Sequence, residues 1–213
     1  MNKINKVTSN YFYKKDFEKK ESSLLSQKDY EAILSYTSAS SDSIEINRAL
    51  RAKELLPSRY LDITKRLDSL FLTDYSTNDF PMKVYRGLKL DDIAKDDNLL
   101  KVLTLKNKNE TTFIDKGFVS TSTSANVAEN FKGRNGILLE INVPANSKYL
   151  DLYKLTKNND HINSNLKREK EYLFPRNSKF KVLSFDERTR ICKVEYMGEI
   201  FPKPSIQLNF DFI

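Results

Sequence analysis

Cysteine and histidine occur once each in this 213-residue chain, as Cys192 and His161; tryptophan is missing and glycine appears only five times. A single cysteine excludes an intrachain disulfide and any thiolate-built metal site. A single histidine, set in the polar run Asn158 to Ser164, puts histidine-based triads and the usual zinc sites out of reach. So few glycines leave little room for a phosphate loop or a glycine-rich dinucleotide fingerprint, and neither pattern is found. Long apolar runs are also missing, so no membrane span is expected. Residues 1–17 hold lysines but no apolar segment of the signal-peptide kind. The expectation is a signal already removed or another route of delivery.

What is present is charge. The formal net charge is +7 and the isoelectric point near 9.2, which draws anions in general: nucleic acid, phospholipid headgroups or a dinucleotide such as NAD. Charge does not choose among these, but the aromatics do not interleave with basic residues in a nucleic-acid motif, so no nucleic acid is expected. Much of the excess lies at Lys3, Lys6, Lys14, Lys15, Lys19 and Lys20, read as a solvated face of an N-terminal helical, basic extension over 1–23. Hydrophobic content of 39% beside 31% charged residues fits a globular chain of one domain, 1–213.

Periodicity divides the chain. Ser26 caps an expected helix over Gln27 to Tyr36; Ser43 to Lys53 and Pro57 to Leu72 follow in the same manner, with Pro57 as a first helical residue. From Met82 the pattern turns β-like, at Lys83 to Leu88, Lys116 to Thr121, Gly136 to Val143, Lys148 to Leu152, Glu171 to Phe174, Lys179 to Phe185, Thr189 to Met197 and Ile206 to Phe212. A short helix over Ala125 to Phe131 interrupts the strands, and Leu155 to Lys167 reads as a long loop. Helices first and strands after define an α+β protein.

Glu169 and Glu171 stand two apart where that loop meets an apolar run. In a strand both carboxylates leave one face, where mutual repulsion raises the pKa of one and lets the pair divide a task. Taken alone, Glu-Lys-Glu is more commonly the solvated face of an exposed hairpin. Tyr85-Arg-Gly87 closes the first strand and Phe118-Val-Ser-Thr-Ser122 the second, ahead of the glutamates.

This ordered Arg, Ser-Thr-Ser, Glu-x-Glu set resembles the Arg-Ser-Glu class of bacterial mono-ADP-ribosyltransferase toxins, the ADP-ribosyltransferase exoenzyme family. The likeness extends to Ser35-Tyr-Thr37, to Ile46-Asn-Arg-Ala-Leu-Arg51 and to Asn130-Phe-Lys-Gly-Arg134. It implies helices packed on a mixed or antiparallel two-sheet β core. It also implies NAD as substrate without a metal, and cleavage of the nicotinamide–ribose bond. By resemblance Arg86, Gly87, Asn47 and Arg51 hold NAD, and Phe131 and Arg134 bracket the nicotinamide and its phosphate. Ser120 orients Glu171, which stabilises the ribosyl cation, and Glu169 orients the acceptor. Glutamate at 169 implies arginine as the acceptor on a host protein; glutamine would imply asparagine, as in the small Rho-modifying exoenzymes.

The build is compact and basic like those exoenzymes, while Leu166 stands where relatives carry an aromatic ring that contacts the target. Actin and small GTPases are both open as acceptors. A monomer, secreted or delivered into host cells, is expected. An NAD glycohydrolase using water, and a non-catalytic basic module that binds NAD or polyanions, are the competing readings.

Overall fold

The computed structural model describes residues 25–38, 42–73, 77–89, 111–157 and 164–200, with backbone alone at 164–166. The expected strand Ile206 to Phe212, His161 and the basic N-terminal stretch lie outside the described residues.

Three helices come first, α1 Gln27–Thr37, α2 Asp42–Ala52 and α3 Ser58–Leu70. Ser26 caps α1 by accepting from the Asp29 amide, which satisfies one of the end amides a helix leaves unpaired. Pro57 is the N-cap of α3, one residue earlier than expected. Tyr30, Ile33 and Tyr36 of α1, and Ile63, Leu67 and Leu70 of α3, recur at helical spacing and are buried. All of these but Tyr30 form one apolar cluster with Ile46 of α2 and with Phe118, Leu150, Leu152 and Leu173.

The strands are β1 Met82–Leu88, β2 Thr112–Asp115, β3 Val119–Ser122, β4 Ile137–Val143, β5 Leu150–Asp151, β6 Glu171–Phe174, β7 Ser178–Asp186 and β8 Ile191–Glu199. Helices α4 Ala125–Lys132, α5 Leu152–Thr156 and α6 Ser164–Glu169 lie between them. Hydrogen bonding runs continuously in the order β2-β7-β8-β4-β1-β3-β6-β5. All pairings are antiparallel except β4 with β8. The expected two-sheet core is therefore one eight-stranded mixed sheet. Its seam explains the difference: β1 and β3 share only the pair Tyr85↔Ser122, whereas β1 and β4 pair along the full strand from Met82 to Leu88. Two apolar clusters sit on this sheet, one among the strands around Ile141, Val194 and Phe180, the other beneath the helices.

Three other expectations are corrected. The strand expected at Lys116 to Thr121 begins at Val119, and a separate strand, β2, precedes it. Lys148 to Leu152 yields only two strand residues before α5 begins at Leu152, because Asp151 caps that helix by accepting from the Lys154 amide. The supposed loop from Leu155 to Lys167 contains the end of α5 and the start of α6.

Helix α4 lies directly on β1. A Cβ at Gly87 would stand 2.0 Å from the Ala128 carbonyl oxygen and 2.4 Å from the Lys132 amide nitrogen. Both are backbone atoms, so no rotamer change relieves the clash. Gly87→Ala is expected to force α4 outward at a cost of about 1–3 kcal/mol, or roughly 2–4 °C of Tm per kcal/mol. Thermal unfolding followed by circular dichroism measures it.

Candidate active site

A cleft of about 620 Å³ opens where α2, α4, β1, β3 and the α6–β6 turn converge, a size in the range of small-molecule sites. Asn47, Arg51, Arg86, Gly87, Ser120, Phe131, Glu169 and Glu171 all line it. Arg134 does not. It sits exposed on the turn after α4, because the chain leaves the helix at Gly133, whose φ is +67°, and turns away before Arg134. Phe131 is 52% exposed and lines the cleft, so it is a wall residue and not part of the core. Ile44, 68% exposed, lines the same cleft from α2.

Register accounts for the carboxylate at its floor. Ser120 pairs with Leu173 and Ser122 with Glu171, so Ser120 and Glu171 are diagonal neighbours within reach of a long side chain. The Ser120 hydroxyl donates to Glu171 Oε1 at 2.6 Å. The Ser120 carbonyl accepts from Arg86 Nη1 at 2.8 Å, so one residue touches both charged groups. Glu171 is only 7% exposed. Burial, with a smaller contribution from the charge of Glu169, raises its carboxyl from 4.5 to about 7 against the opposing Ser120 hydrogen bond and Arg86 charge.

Glu169 reaches the cleft by a different path from the one expected. It is the last residue of α6, and Lys170 takes a left-handed φ of 46° before β6 opens at Glu171. The two-residue strand period therefore does not relate the glutamates; a turn does. That turn is pinned: the Ser122 hydroxyl donates to the Glu169 carbonyl at 2.6 Å, and the Thr121 hydroxyl donates to the Tyr172 carbonyl at 2.7 Å. Partial burial raises the Glu169 carboxyl, with Arg168 opposing.

Asn47 and Arg51 share one helix face, as the spacing implied, yet both are engaged by the protein. Asn47 Nδ2 donates to the Tyr36 hydroxyl and its Oδ1 accepts from the Phe118 amide, each at 2.8 Å. Arg51 forms a two-pronged bond with Asp115, Nε to Oδ1 at 2.9 Å and Nη2 to Oδ2 at 3.0 Å. Asp115 also accepts from the Gly117 amide and lies 3.9 Å from Arg86 Nη2. Burial works against ionisation of Asp115, but the Arg51 and Arg86 charges, with these hydrogen bonds, hold its carboxyl below the ordinary value.

Sequence reasoning missed Asp115. Its signal was strand alternation, since Phe113 and Asp115 are the two buried residues of β2. It missed Ser43 and Arg48 as well, although the i, i+4 series Ser43, Asn47, Arg51 would have extended the lining face. Arg48 pairs with Glu54 at 2.7 Å, both on the cleft wall. Among the described residues no three His, Cys, Asp or Glu side chains are grouped to hold a metal. No described helix is long and apolar enough to cross a membrane.

A profile of the ADP-ribosyltransferase exoenzyme family matches residues 9–198. No curated protein sequence matches the chain. Among solved structures, exoenzyme S from Pseudomonas aeruginosa, in complex with human 14-3-3 protein beta and bound to Carba-NAD, is similar at 20% identity with a TM-score of 0.62 over 87% of this chain and 82% of that one. C3stau2 from S. aureus with NAD is similar at 22% identity and a TM-score of 0.58 over 82% and 88%. Vis, an ADP-ribosyltransferase from Vibrio splendidus solved with agmatine, is similar at 17% identity and 0.58 over 87% and 80%. At such identities the likeness is one of fold.

The elevated carboxyl of Glu171 has a measurable consequence. Between its unfolded value near 4.5 and its folded value of about 7 the native state binds more protons than the unfolded chain, so its contribution to stability is complete below the former and lost as pH rises through the latter. Glu171→Gln is expected to match the native protein in stability near pH 4.5 and to exceed it at pH 8, by up to roughly 3 kcal/mol. Urea titrations at both pH values provide the check; equal stability at pH 8 would contradict a raised Glu171 carboxyl.

Proposed function

The chain belongs to the ADP-ribosyltransferase exoenzyme family, and from that premise we propose that this cleft binds NAD and transfers ADP-ribose to an arginine of a host protein. The observation that carries the proposal is the 2.6 Å hydrogen bond from Ser120 to a buried Glu171, with Glu169 on the wall of the same cleft. Breaking the nicotinamide–ribose bond leaves an oxocarbenium-like sugar, and a fixed carboxylate in a water-poor site stabilises that charge far better than bulk solvent. Glu171 takes this role. The cationic nicotinamide ring of bound NAD favours the ionised carboxylate, offsetting the burial that otherwise protonates it.

Arg86, charged at every relevant pH, faces the NAD phosphates together with Arg51. Gly87 brings the β1 backbone against the nicotinamide, and Phe131 stacks on that ring. Glu169 receives the acceptor. A guanidinium does not lose its proton in water near neutrality, so its deprotonation accompanies bond formation beside a carboxylate. Glu169, partly exposed at the turn before Glu171, suits that task. The agmatine complex of Vis, a ligand ending in a guanidinium, supports arginine as the acceptor type. Action outside the producing cell follows from the exoenzyme family, and the host target is a protein that offers an accessible arginine.

Glu171→Gln is expected to lower both transfer and NAD hydrolysis by about 100- to 1,000-fold or more, read with labelled NAD and host-cell lysate; robust residual transfer would remove Glu171 from the mechanism. Glu169→Gln is expected to lose arginine transfer while sparing hydrolysis, and equal loss of both would reassign Glu169 to structure or NAD binding. Mass spectrometry of the labelled lysate distinguishes a transferase from a glycohydrolase, since only the former leaves ADP-ribose on arginine.

A further inference from the structure

The structure places one buried carboxylate behind two arginines of the cleft. Asp115 is 9% exposed and receives Arg51 through both prongs of its fork at 2.9 and 3.0 Å, while Arg86 Nη2 stands 3.9 Å away. Its own position is set by the Gly117 amide, 2.9 Å from Oδ1. Close packing of α2 reinforces this: a Cβ at Gly117 would stand 2.7 Å from Asn47 Oδ1 and 3.2 Å from Arg51 Nη2.

Two guanidinium groups drawn to one carboxylate lie close enough to repel each other strongly where water is scarce. The anion between them removes that repulsion. Arg51 has the greater freedom to leave, with its side chain 31% exposed against 14% for Arg86. The planar fork lets Asp115 fix the orientation of Arg51 as well as its place.

We propose that Asp115 is a positioning residue for NAD binding, holding the guanidinium groups of Arg51 and Arg86 side by side on the cleft wall as a preformed seat for the paired phosphates of the dinucleotide. This rests on the functional reading of the cleft given above. Asp115 touches no substrate; it acts through the arginines, and it supplies preorganisation that the ligand would otherwise have to provide on binding. Its signature falls on NAD affinity, whereas the chemistry at Glu171 proceeds once NAD is seated.

The test is steady-state NAD hydrolysis by purified protein, alongside calorimetric titration with a non-hydrolysable NAD analogue. Asp115→Asn keeps the side-chain size and the acceptor for Gly117 and loses the charge. It is expected to raise KM and the analogue Kd by about tenfold or more, with kcat within about threefold. In an Arg51→Ala background the same change is expected to raise KM by clearly less than it does alone, because its Arg51 share is already lost and only its hold on Arg86 remains. A purely structural Asp115 would instead lower the active fraction at constant KM. An unchanged KM, full additivity with Arg51→Ala, or a lower KM overturns the proposal; the last would mean that Asp115 competes with the phosphates.

Should Asp115→Asn fail to fold, Arg51→Lys keeps the charge and loses the fork. It is expected to raise KM in the same way, and a native KM there also overturns the proposal. Absence of both hydrolysis and analogue binding in the native protein would bring down the functional reading itself, and this proposal with it. Normal behaviour of the native protein with an inert Asp115 brings down this proposal alone.

Discussion

A carboxylate held out of water is the constraint around which the cleft is arranged. Glu171 is nearly enclosed, and an enclosed charge is costly unless it is paired or hydrogen-bonded. Ser120 supplies that bond with its hydroxyl while its carbonyl accepts from Arg86. One residue of β3 therefore sets the distance between the cationic and anionic walls. It can do so because β3 lies between β1 and β6 in the sheet, touching the strand that carries Arg86 on one side and the strand that opens with Glu171 on the other.

The remaining structure keeps that arrangement from relaxing. Helix α4 approaches β1 so closely that only a residue without a side chain fits at Gly87, and the same helix contributes Val127, Ala128 and Phe131 to the cleft. Helix α2 fastens the turn between β2 and β3 at two points, through Asn47 to the Phe118 amide and through Arg51 to Asp115. Ser120 follows that turn by two residues. Side chains that look like ligand contacts along the chain thus serve the framework as well, and the line between holding the substrate and holding the site is drawn within single residues.

Much of this is legible in the sequence. The helical spacing of Tyr30, Ile33 and Tyr36 and the β-prone runs from Met82 onward identified the α+β class because apolar periodicity reports directly on which face is buried. The residues given a role in catalysis or NAD binding line one cleft save Arg134, which the turn at Gly133 carries away. Strand β2 escaped notice because four residues with a buried aspartate look polar, and Asp115 is compatible with burial only once two arginines arrive from segments distant in the chain. The route of Glu169 was misjudged for a related reason: a left-handed Lys170 leaves no mark in composition, since lysine rarely adopts that conformation.

Local chemistry, then, was determined by the chain alone: the types of residue available, the exclusion of an intrachain disulfide and of a thiolate-built metal site by a single Cys192, and the periodicities that make helices and strands. Tertiary structure decided what depends on distance and on access to water. The raised carboxyl of Glu171 comes from burial, the Asp115 bridge from three segments meeting, and the nearness of the two glutamates to one cleft from a backbone reversal. Periodicity is a property of neighbours along the chain, whereas desolvation and charge pairing are properties of neighbours in space, and only folding makes the second kind.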